Sequence, residues 1–338
     1  MSLAGLRPTV VFDSYWRFAA ERQAMYLRRL ADPVGPWTTD PILARYRFTN
    51  AYRAADRVSQ YLIREVQYRE DRSQAPAELF FRTMLFKLFN RIETWELIEA
   101  RLGPVAWQSV DGERLGQVLS EARMRGTRIY SAAYIMPSPA FGHAAKHLNH
   151  LALLWRMMDE GLAGQIAHAD SLEQVYRLLL GYPGLGPFLA FQYAIDLNYS
   201  NLVDFNESDF VVAGPGALDG IAKCFEELAG TSAEQVIHRV TELQDEEFAR
   251  LDLPFPGLFG RKLQPIDCQN LFCEISKYAR VAHPEFGGRA GRTRIKQGFT
   301  CSTRASAGPM FPAKWQLAAP QSGTVSDQSL GAEQGRLF

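Results

Sequence analysis

Two aspartates follow a glycine-rich turn at a spacing that suits chemistry on an extruded nucleotide. The turn reads Tyr182-Pro183-Gly184-Leu185-Gly186, and Asp204 and Asp209 lie 18 and 23 residues beyond Gly186. An ionised carboxylate that faces the sugar of a flipped base can stabilise positive charge there and can orient or deprotonate a water molecule. Both aspartates are therefore predicted catalytic residues.

The turn itself is predicted to grip the DNA backbone. Gly184 and Gly186 are assigned this role because glycine adopts backbone conformations closed to other residues and lets another chain approach closely. Pro187 suits the first turn of the next helix, whose unpaired N–H groups form a phosphate site. The pattern is typical of DNA-binding helix-hairpin-helix proteins, and the alternative is a tight turn between two packed helices.

The helix-hairpin-helix glycosylases suggest a more specific reading of the same segment. Asp204 and Asp209 lie on either side of the spacing at which those enzymes carry their catalytic aspartate. Some of them also carry a lysine just past the hairpin that attacks the sugar, and Phe188 occupies that position here. The pattern therefore predicts a monofunctional glycosylase, which leaves an abasic site without lyase cleavage.

Positive charge is concentrated near the C-terminus, although the formal net charge is zero. The stretch from Gly287 to Ser326 contains six basic residues and no acidic ones. The aromatic residues Phe299, Phe311 and Trp315 lie in the same stretch. Basic residues interleaved with aromatic ones suit phosphate contacts and base stacking. A surface-bound tail without a ligand is the alternative. DNA contacts are predicted for Arg289, Arg292, Arg294 and Lys296.

A polar cluster is predicted on a helix over residues 42–68. At helical spacing, residues 50, 53 and 57 share one face, as do residues 53, 56 and 60, so an amide, a guanidinium and a carboxylate could read the polar edge of a flipped base or hold phosphates. The alternative is a solvated helix face with local ion pairs. The predicted base pocket comprises Asn50, Arg53, Arg57, Gln60 and Glu207.

Neither a metal nor a cofactor is predicted. His143, His147 and His150 recur at helical spacing, but Ala144 stands where a metalloprotease helix carries glutamate, so phosphate contacts or plain surface positions are favoured. The four cysteines lack C-x-x-C spacing and are interpreted as reduced thiols. Without a signal peptide or a long apolar run, the protein is predicted to be soluble and cytoplasmic.

Helices must position all these residues, because apolar spacing is helical nearly everywhere. The prediction is an all-α, helix-hairpin-helix glycosylase-like domain over residues 1–286, with the hairpin at 172–197, and a basic, partly disordered arm over 287–338.

A segment from Thr127 to Ile135 fits a short strand, a loop or a helix edge. An aromatic core is predicted from Phe80, Phe81, Phe86, Phe89 and Trp95. Helices are predicted from Asp13 or Ser14 to Leu30 and near 42–68, 77–90, 92–101, 112–125, 139–160, 170–181, 187–197, 216–229, 232–251 and 267–282.

Three strings are more specific than the hairpin alone: RFTNAYRAADRVSQYLIREV from Arg47, GLGPFLAFQYAIDLNYS through DFNESDFVVAGPGALDGIAKCF from Gly184, and CEISKYAR from Cys273. Together they resemble the α-glutamyl/putrescinyl thymine pyrophosphorylase family, which is related to the helical domain fused to 5-hydroxymethyluracil DNA kinases. The resemblance covers roughly residues 40 to 285. It implies a divergent helix-hairpin-helix glycosylase fold and a place in systems that make or attack hypermodified pyrimidines of phage DNA.

The resemblance also implies functional residues. It favours Asp209 over Asp204 as the catalytic acid. The kinase P-loop, G-x-x-x-x-G-K-[ST], does not occur, so the kinase half of the fused proteins is expected to be absent. The positions with implied roles are Arg47, Asn50, Arg53, Asp56, Arg57, Gln60, Asp209 and Gly214-Pro215-Gly216.

Three functions are compatible with these observations. The first is a monofunctional glycosylase that flips and excises a hydroxymethylated or glycosylated pyrimidine from double-stranded phage DNA, in antiphage defence and without a membrane or an obligate protein partner. The second is a DNA-modifying transferase that joins an amino acid or polyamine to activated 5-hydroxymethyluracil. The third is a non-catalytic DNA-binding module, with the hairpin as a phosphate clamp. The first is the main prediction.

Overall fold

The computed structural model describes residues 5–132, 136–300 and 308–318. Most of the described chain is helical, as predicted, and β1 (Arg7–Pro8) pairs with β2 (Phe225–Glu227) in antiparallel fashion. The helices are α1 (Val10–Ala31), α2 (Pro41–Arg45), α3 (Arg57–Tyr61), α4 (Pro76–Phe89), α5 (Ile92–Leu102), α6 (Gly112–Met124), α7 (Lys146–Asp159), α8 (Leu162–Ala167), α9 (Leu172–Leu180), α10 (Pro187–Tyr199), α11 (Pro215–Cys224), α12 (Ala233–Glu242), α13 (Gln244–Arg250) and α14 (Pro265–Ala282).

The described chain forms two compact units. Unit 1 contains the residues up to Asp56, those from Val211 to Pro309, and those from Trp315 onward. Unit 2 contains Arg57–Phe210 and the short segment Met310–Lys314. The predicted boundary between residues 286 and 287 lies inside unit 1, and residues 319–338 of the predicted tail lie outside the described residues.

Helix α14 is the centre of unit 1, where it packs against α1, α11 and α12. The approach of α11 is so close that a Cβ atom on Gly220 would overlap the carbonyl oxygen of Phe272, and one on Gly216 would overlap the thiol of Cys273. Glycine at both positions lets the two helices meet almost backbone to backbone. Packing therefore requires glycine at positions 216 and 220.

Helix α4 is the centre of unit 2, where it contacts α5, α7, α8 and α10. The Lys87 ammonium lies 3.1 Å from the Asp196 carboxylate, and this buried ion pair ties α4 to α10. Helix α10 is thus held in the core of the unit, directly behind the predicted hairpin turn. The predicted aromatic core is confirmed, since each member is at most 2 % exposed: Phe80, Phe81, Phe86, Phe89 and Trp95.

The predicted helix over residues 42–68 is wrong. Between α2 and α3 the chain makes only a 3-10 turn, Arg53–Ala55, and α3 continues into a π-helical turn, Leu62–Gln67. The backbone N–H of Asn50 donates to the Asp56 carboxylate at 2.8 Å instead of entering a helical ladder. A local side-chain acceptor thus replaces the helical hydrogen bond, as short polar side chains commonly do.

Other helix predictions differ at their ends. Helix α7 begins at Lys146 and not near residue 139, because the Asn149 side chain accepts hydrogen bonds from the N–H groups of Phe141 and His143 and holds that segment as a loop. The helix predicted over 232–251 is broken between α12 and α13. Helix α8 was not predicted.

The described part of the segment from Thr127 to Ile135 contains no strand, and residues 133–135 lie outside the described residues. Among the helices described, none is both long and apolar enough to cross a lipid bilayer.

Candidate functional site

In unit 2, α9 and α10 pack against each other across a short turn and form a helical hairpin. Gly184 has a φ of +85°, a left-handed conformation that favours glycine, and Gly186 precedes Pro187 at the start of α10. Apart from its chain neighbours, no described atom lies within 4 Å of the position that a Cβ on Gly186 would take. The start of α10 is exposed, whereas the helix from Leu189 onward is buried.

The charged side chains around the hairpin are already paired. Arg177 lies 2.7 Å from Glu173, and Arg156 lies 2.8 Å from Glu160. The Tyr182 hydroxyl donates to Glu160 at 2.7 Å, and partial burial together with this bond raises the pKa of Tyr182 to about 12. The hairpin could therefore contact a phosphate through its backbone N–H groups, because the arginines nearby are paired with glutamates. Its contact with DNA remains a prediction.

Both predicted catalytic aspartates are on the surface of unit 2. The Asp204 side chain is 77 % exposed, and its carboxylate lies 3.7 Å from the Lys314 ammonium. Asp209 is also exposed and accepts a hydrogen bond of 3.0 Å from the Ser208 hydroxyl. Neither carboxylate is enclosed by the described protein.

The predicted base pocket is divided between the two units. In unit 1, the amide of Asn50 accepts from Arg22 at 2.9 Å and donates to the Ala55 carbonyl at 2.8 Å. The buried Arg53 donates its backbone N–H to Asp267 at 2.8 Å. The amide of Asn50 therefore has a structural role in shaping the segment between α2 and α3.

The other three members of the predicted pocket belong to unit 2. Arg57 is exposed and lies 3.8 Å from Glu93, while Glu207 is buried. The amide of Gln60 exchanges two hydrogen bonds of 2.9 Å with the backbone of Met310. The structure thus places Gln60 against the chain's own C-terminal segment.

The surroundings of the Asp56 carboxylate were not predicted from the sequence. The Asp56 side chain is half-buried near Arg22 and Glu274, and burial is the largest of the effects that raise the pKa of its carboxylate to about 7. Glu274 in turn accepts from the Thr49 N–H at 3.0 Å and from Lys277 at 2.7 Å. The buried Asp267 is similar, with a pKa that burial raises to about 6. Helical spacing could not reveal these sites, because they join α1 and α14 to a non-helical segment.

Asp219 on α11 was also missed, and it anchors the start of the basic segment. The buried carboxylate accepts from the Ser276 hydroxyl and, at 2.7 Å, from the Ala290 N–H. Burial alone would raise its pKa, but these bonds and the nearby Lys223 and Arg280 outweigh burial and hold the pKa below its usual value. The available sequence signal was weak, since it was only an acid that shares a mostly apolar helix with Lys223.

The predicted DNA-contacting cations form a basic segment of unit 1. It runs antiparallel to the chain around Tyr46, where the Arg47 N–H donates to Gln297 at 3.0 Å and the Phe299 N–H donates to Arg45 at 2.9 Å. The cations of both segments are exposed, and within the described residues none of them forms an ion pair with a carboxylate. We call this set the basic patch: Arg45, Arg47, Arg289, Arg292, Arg294 and Lys296.

The three histidines have separate environments. His143 is exposed, while His147 bonds to Ser120 at 2.8 Å and His150 bonds to Tyr130 at 2.7 Å. Within the described residues, no group of three or more His, Cys, Asp or Glu side chains is arranged to hold a metal ion.

Comparison with known proteins identifies relatives of this chain. Residues 9–288 match the family model of the 5-hmdU DNA kinase helical domain. The 5-hmdU DNA kinase of Bacillus phage SP10 is 27 % identical over 295 residues, which are 82 % of this chain and 46 % of that relative. The chain thus spans about half the length of this curated relative, and no solved structure matches.

These findings overturn the main functional prediction. The relative is named as a kinase, which is a transferase, whereas a glycosylase is a hydrolase of N-glycosidic bonds. The predicted monofunctional DNA glycosylase that excises a modified base in antiphage defence is wrong. The roles of Asp204 and Asp209 in such hydrolysis are withdrawn with it. Because the family match covers most of the sequence, this chain belongs to the family of the helical domain of 5-hmdU DNA kinases.

Proposed function

We propose that this chain is a DNA-modifying transferase that acts on activated 5-hydroxymethyluracil in DNA. The family and the named relative support a substrate of this class, because both carry the modified nucleoside and DNA in their descriptions. The sequence has no P-loop motif, so the proposal concerns a transfer step other than phosphorylation by that motif. The group to be joined is an amino acid or a polyamine, through its amine.

The observation that carries the proposal is the basic patch. Its six cations are exposed without carboxylate partners in the described chain, while Asp219 and the chain around Tyr46 hold the segment that bears four of them. Cations without carboxylate partners can neutralise DNA phosphates and release condensed counterions. We further propose that α9 and α10 form a helix-hairpin-helix element in a glycosylase-related fold and add backbone N–H contacts to phosphate.

The proposed reaction leaves the N-glycosidic bond intact. The free amine of the donor attacks the methylene carbon on C5 of a pyrophosphorylated 5-hydroxymethyluracil, and a C–N bond forms. The bond from that carbon to the pyrophosphate oxygen breaks, and pyrophosphate leaves with the electron pair. The resulting ammonium loses one proton, for which Asp209 and Asp204 are the proposed acceptors because both follow the hairpin that is proposed to hold the DNA backbone.

Mass spectrometry of nucleosides tests this function. DNA that carries pyrophosphorylated 5-hydroxymethyluracil is incubated with the protein and either putrescine or glutamate, and then digested. A nucleoside with the added mass of the donor, released pyrophosphate and no free base are expected. Asp209→Asn is expected to lower the yield, with Asp245→Asn as a matched control on an exposed carboxylate. Unaltered nucleosides with every donor would contradict the proposal.

The exposure of both aspartates favours a second candidate, a DNA-binding module without chemistry of its own. Such a module would present the modified base to a separate enzyme. Tight, salt-dependent binding that is unchanged in Asp204→Asn and Asp209→Asn, together with unaltered nucleosides, would support this function over the transferase.

A further inference from the structure

The amide of Gln60 is joined to a single residue of the C-terminal segment by two hydrogen bonds. Its Nε2 donates to the Met310 carbonyl at 2.9 Å, and its Oε1 accepts from the Met310 N–H at 2.9 Å. Two parallel bonds fix the orientation of the amide, because the acceptor and the donor on Met310 cannot be exchanged. The Gln60 amide is thus paired with one donor and one acceptor of the same residue.

A uracil base presents the same pair of groups. The N3–H of its imide edge is a donor that lies next to the O4 and O2 acceptors, so this edge can take both bonds that Met310 now makes. Glutamine side chains read base edges by such bidentate pairing. Met310 thus occupies a position whose hydrogen-bonding pattern suits a flipped uracil-type base.

The far end of the same segment is held at Asp204. Lys314 donates to the backbone carbonyl groups of Ser200, at 2.9 Å, and of Val203, and its ammonium lies 3.7 Å from the Asp204 carboxylate. We call Met310–Lys314 the strap. Four residue steps span at most about 14 Å, so the strap links Gln60 to Asp204 over a short distance.

We propose that Gln60 is a specificity-determining residue for the uracil-type base and that the strap covers this site until DNA binds. The proposal deepens the proposed function and rests on it for the identity of the base. A base that enters replaces two hydrogen bonds of the strap with two of its own, so the exchange needs little driving force at Gln60 itself. Phosphate contacts elsewhere on the protein supply the remainder.

Hydrogen–deuterium exchange of the full chain tests strap displacement. One duplex carries a single 5-hydroxymethyluracil opposite adenine, and a matched duplex carries a tetrahydrofuran abasic residue at that position, so that the phosphates are the same. The first duplex is expected to raise the exchange rate of peptides containing Met310, and the second is expected to leave it unchanged. Protection of Met310 by the modified duplex, or equal exchange with both duplexes at saturation, would overturn the proposal.

Affinity measurements with substituted proteins separate base reading from simple anchoring. Lys314→Met removes charged hydrogen bonds of the strap and is expected to tighten binding of the modified duplex about tenfold. Lys262→Met is the control, because it removes an equal charge from an exposed lysine that pairs with Asp245. Adding Gln60→Leu to Lys314→Met is expected to abolish the preference for the modified duplex over the abasic one. If that preference is retained, Gln60 only anchors the strap and the proposal is wrong.

These readouts do not depend on group transfer. Strap displacement with unaltered nucleosides would leave the base-reading site in place and reject the transferase. Group transfer without displacement of the strap would support the transferase and reject the base-reading site.

Discussion

The α9–α10 hairpin of unit 2 and the α11–α14 pair of unit 1 both use glycine, but for opposite reasons. At Gly216 and Gly220 the space beside Cα is filled by Cys273 and Phe272 of α14. Beside Gly186 it is open, and the φ of this residue is −70°, which any residue can adopt. Packing accounts for the glycines of α11, whereas no contact in the described chain accounts for Gly186.

The charges of the two regions differ in the same way. Near the hairpin, Arg156 and Arg177 lie against glutamates one helical turn away. In unit 1, Arg292, Arg294 and Lys296 are exposed without such partners in the described residues. A glycine or an arginine of this protein therefore indicates function only where no contact within the described protein explains it. By this criterion Gly186 and the basic patch are the features that contacts within the described protein leave unexplained.

The largest expected effect tests the packed side of the comparison. Gly220→Ala forces a methyl group into the Phe272 carbonyl, and backbone cannot move aside as a flexible side chain would. We expect a loss of about 3 kcal/mol or more in the free energy of unfolding, measured with urea. Gly164→Ala in α8 is the control, because its Cβ position is open and alanine favours a helix by about 1 kcal/mol. Equal stabilities of the two variants would refute the packing argument.

The next effect concerns the unpaired cations. The double variant Arg292→Ala/Arg294→Ala is expected to weaken DNA binding by roughly 10- to 100-fold at about 0.1 M salt and to reduce the salt slope by about 2. The matched double variant Arg156→Ala/Arg177→Ala removes the same charge from paired arginines and is expected to change affinity by less than about twofold. Fluorescence anisotropy over a salt series measures both. Indistinguishable slopes would show that pairing does not separate the two regions.

A smaller effect is expected at Asp219, which links α11 to the basic patch. At pH 7, Asp219→Asn removes a charged acceptor from Ser276 and Ala290 and should cost about 1–3 kcal/mol. Because the pKa of Asp219 is lowered in the folded chain, its stabilisation is present above the unfolded pKa of about 3.9 and is lost as the pH falls through the folded pKa. The stabilities of wild type and variant should therefore converge in acid. A constant difference from pH 7 to pH 3 would argue against an ionised Asp219.

Much of the fold was predictable because it depends on local spacing. The hairpin, the aromatic core around α4 and most helix positions follow from apolar periodicity and from turn residues. The segment between α2 and α3 did not follow, because Asn50 bonds to Asp56 and Ala55 in place of a helical ladder. Periodicity cannot anticipate a side chain that competes with the helix for the same backbone groups.

The candidate site was predictable only in part. The basic segment was evident from composition, but its attachment to Arg45 and Arg47 depends on backbone pairing between distant parts of the chain. Buried Asp219 could not be told from a solvated helical acid, because its partners come from α14 and the loop after it. The spacing of the residues could not distinguish a hydrolase from a transferase, because a carboxylate near a hairpin suits either reaction.

The smallest change in stability is expected at Gly186, and it tests the open side of the comparison. Gly186→Ala meets no described atom and keeps an allowed backbone conformation, so stability should be unchanged or higher by about 0.4–1 kcal/mol through the unfolded chain. If Gly186 is open because a DNA backbone approaches it, the same methyl group should weaken DNA binding. Thermal unfolding and anisotropy on one preparation therefore separate fold from function. A variant that is stable and also binds DNA normally would leave the basic patch as the main DNA contact and return the hairpin to an ordinary helical turn.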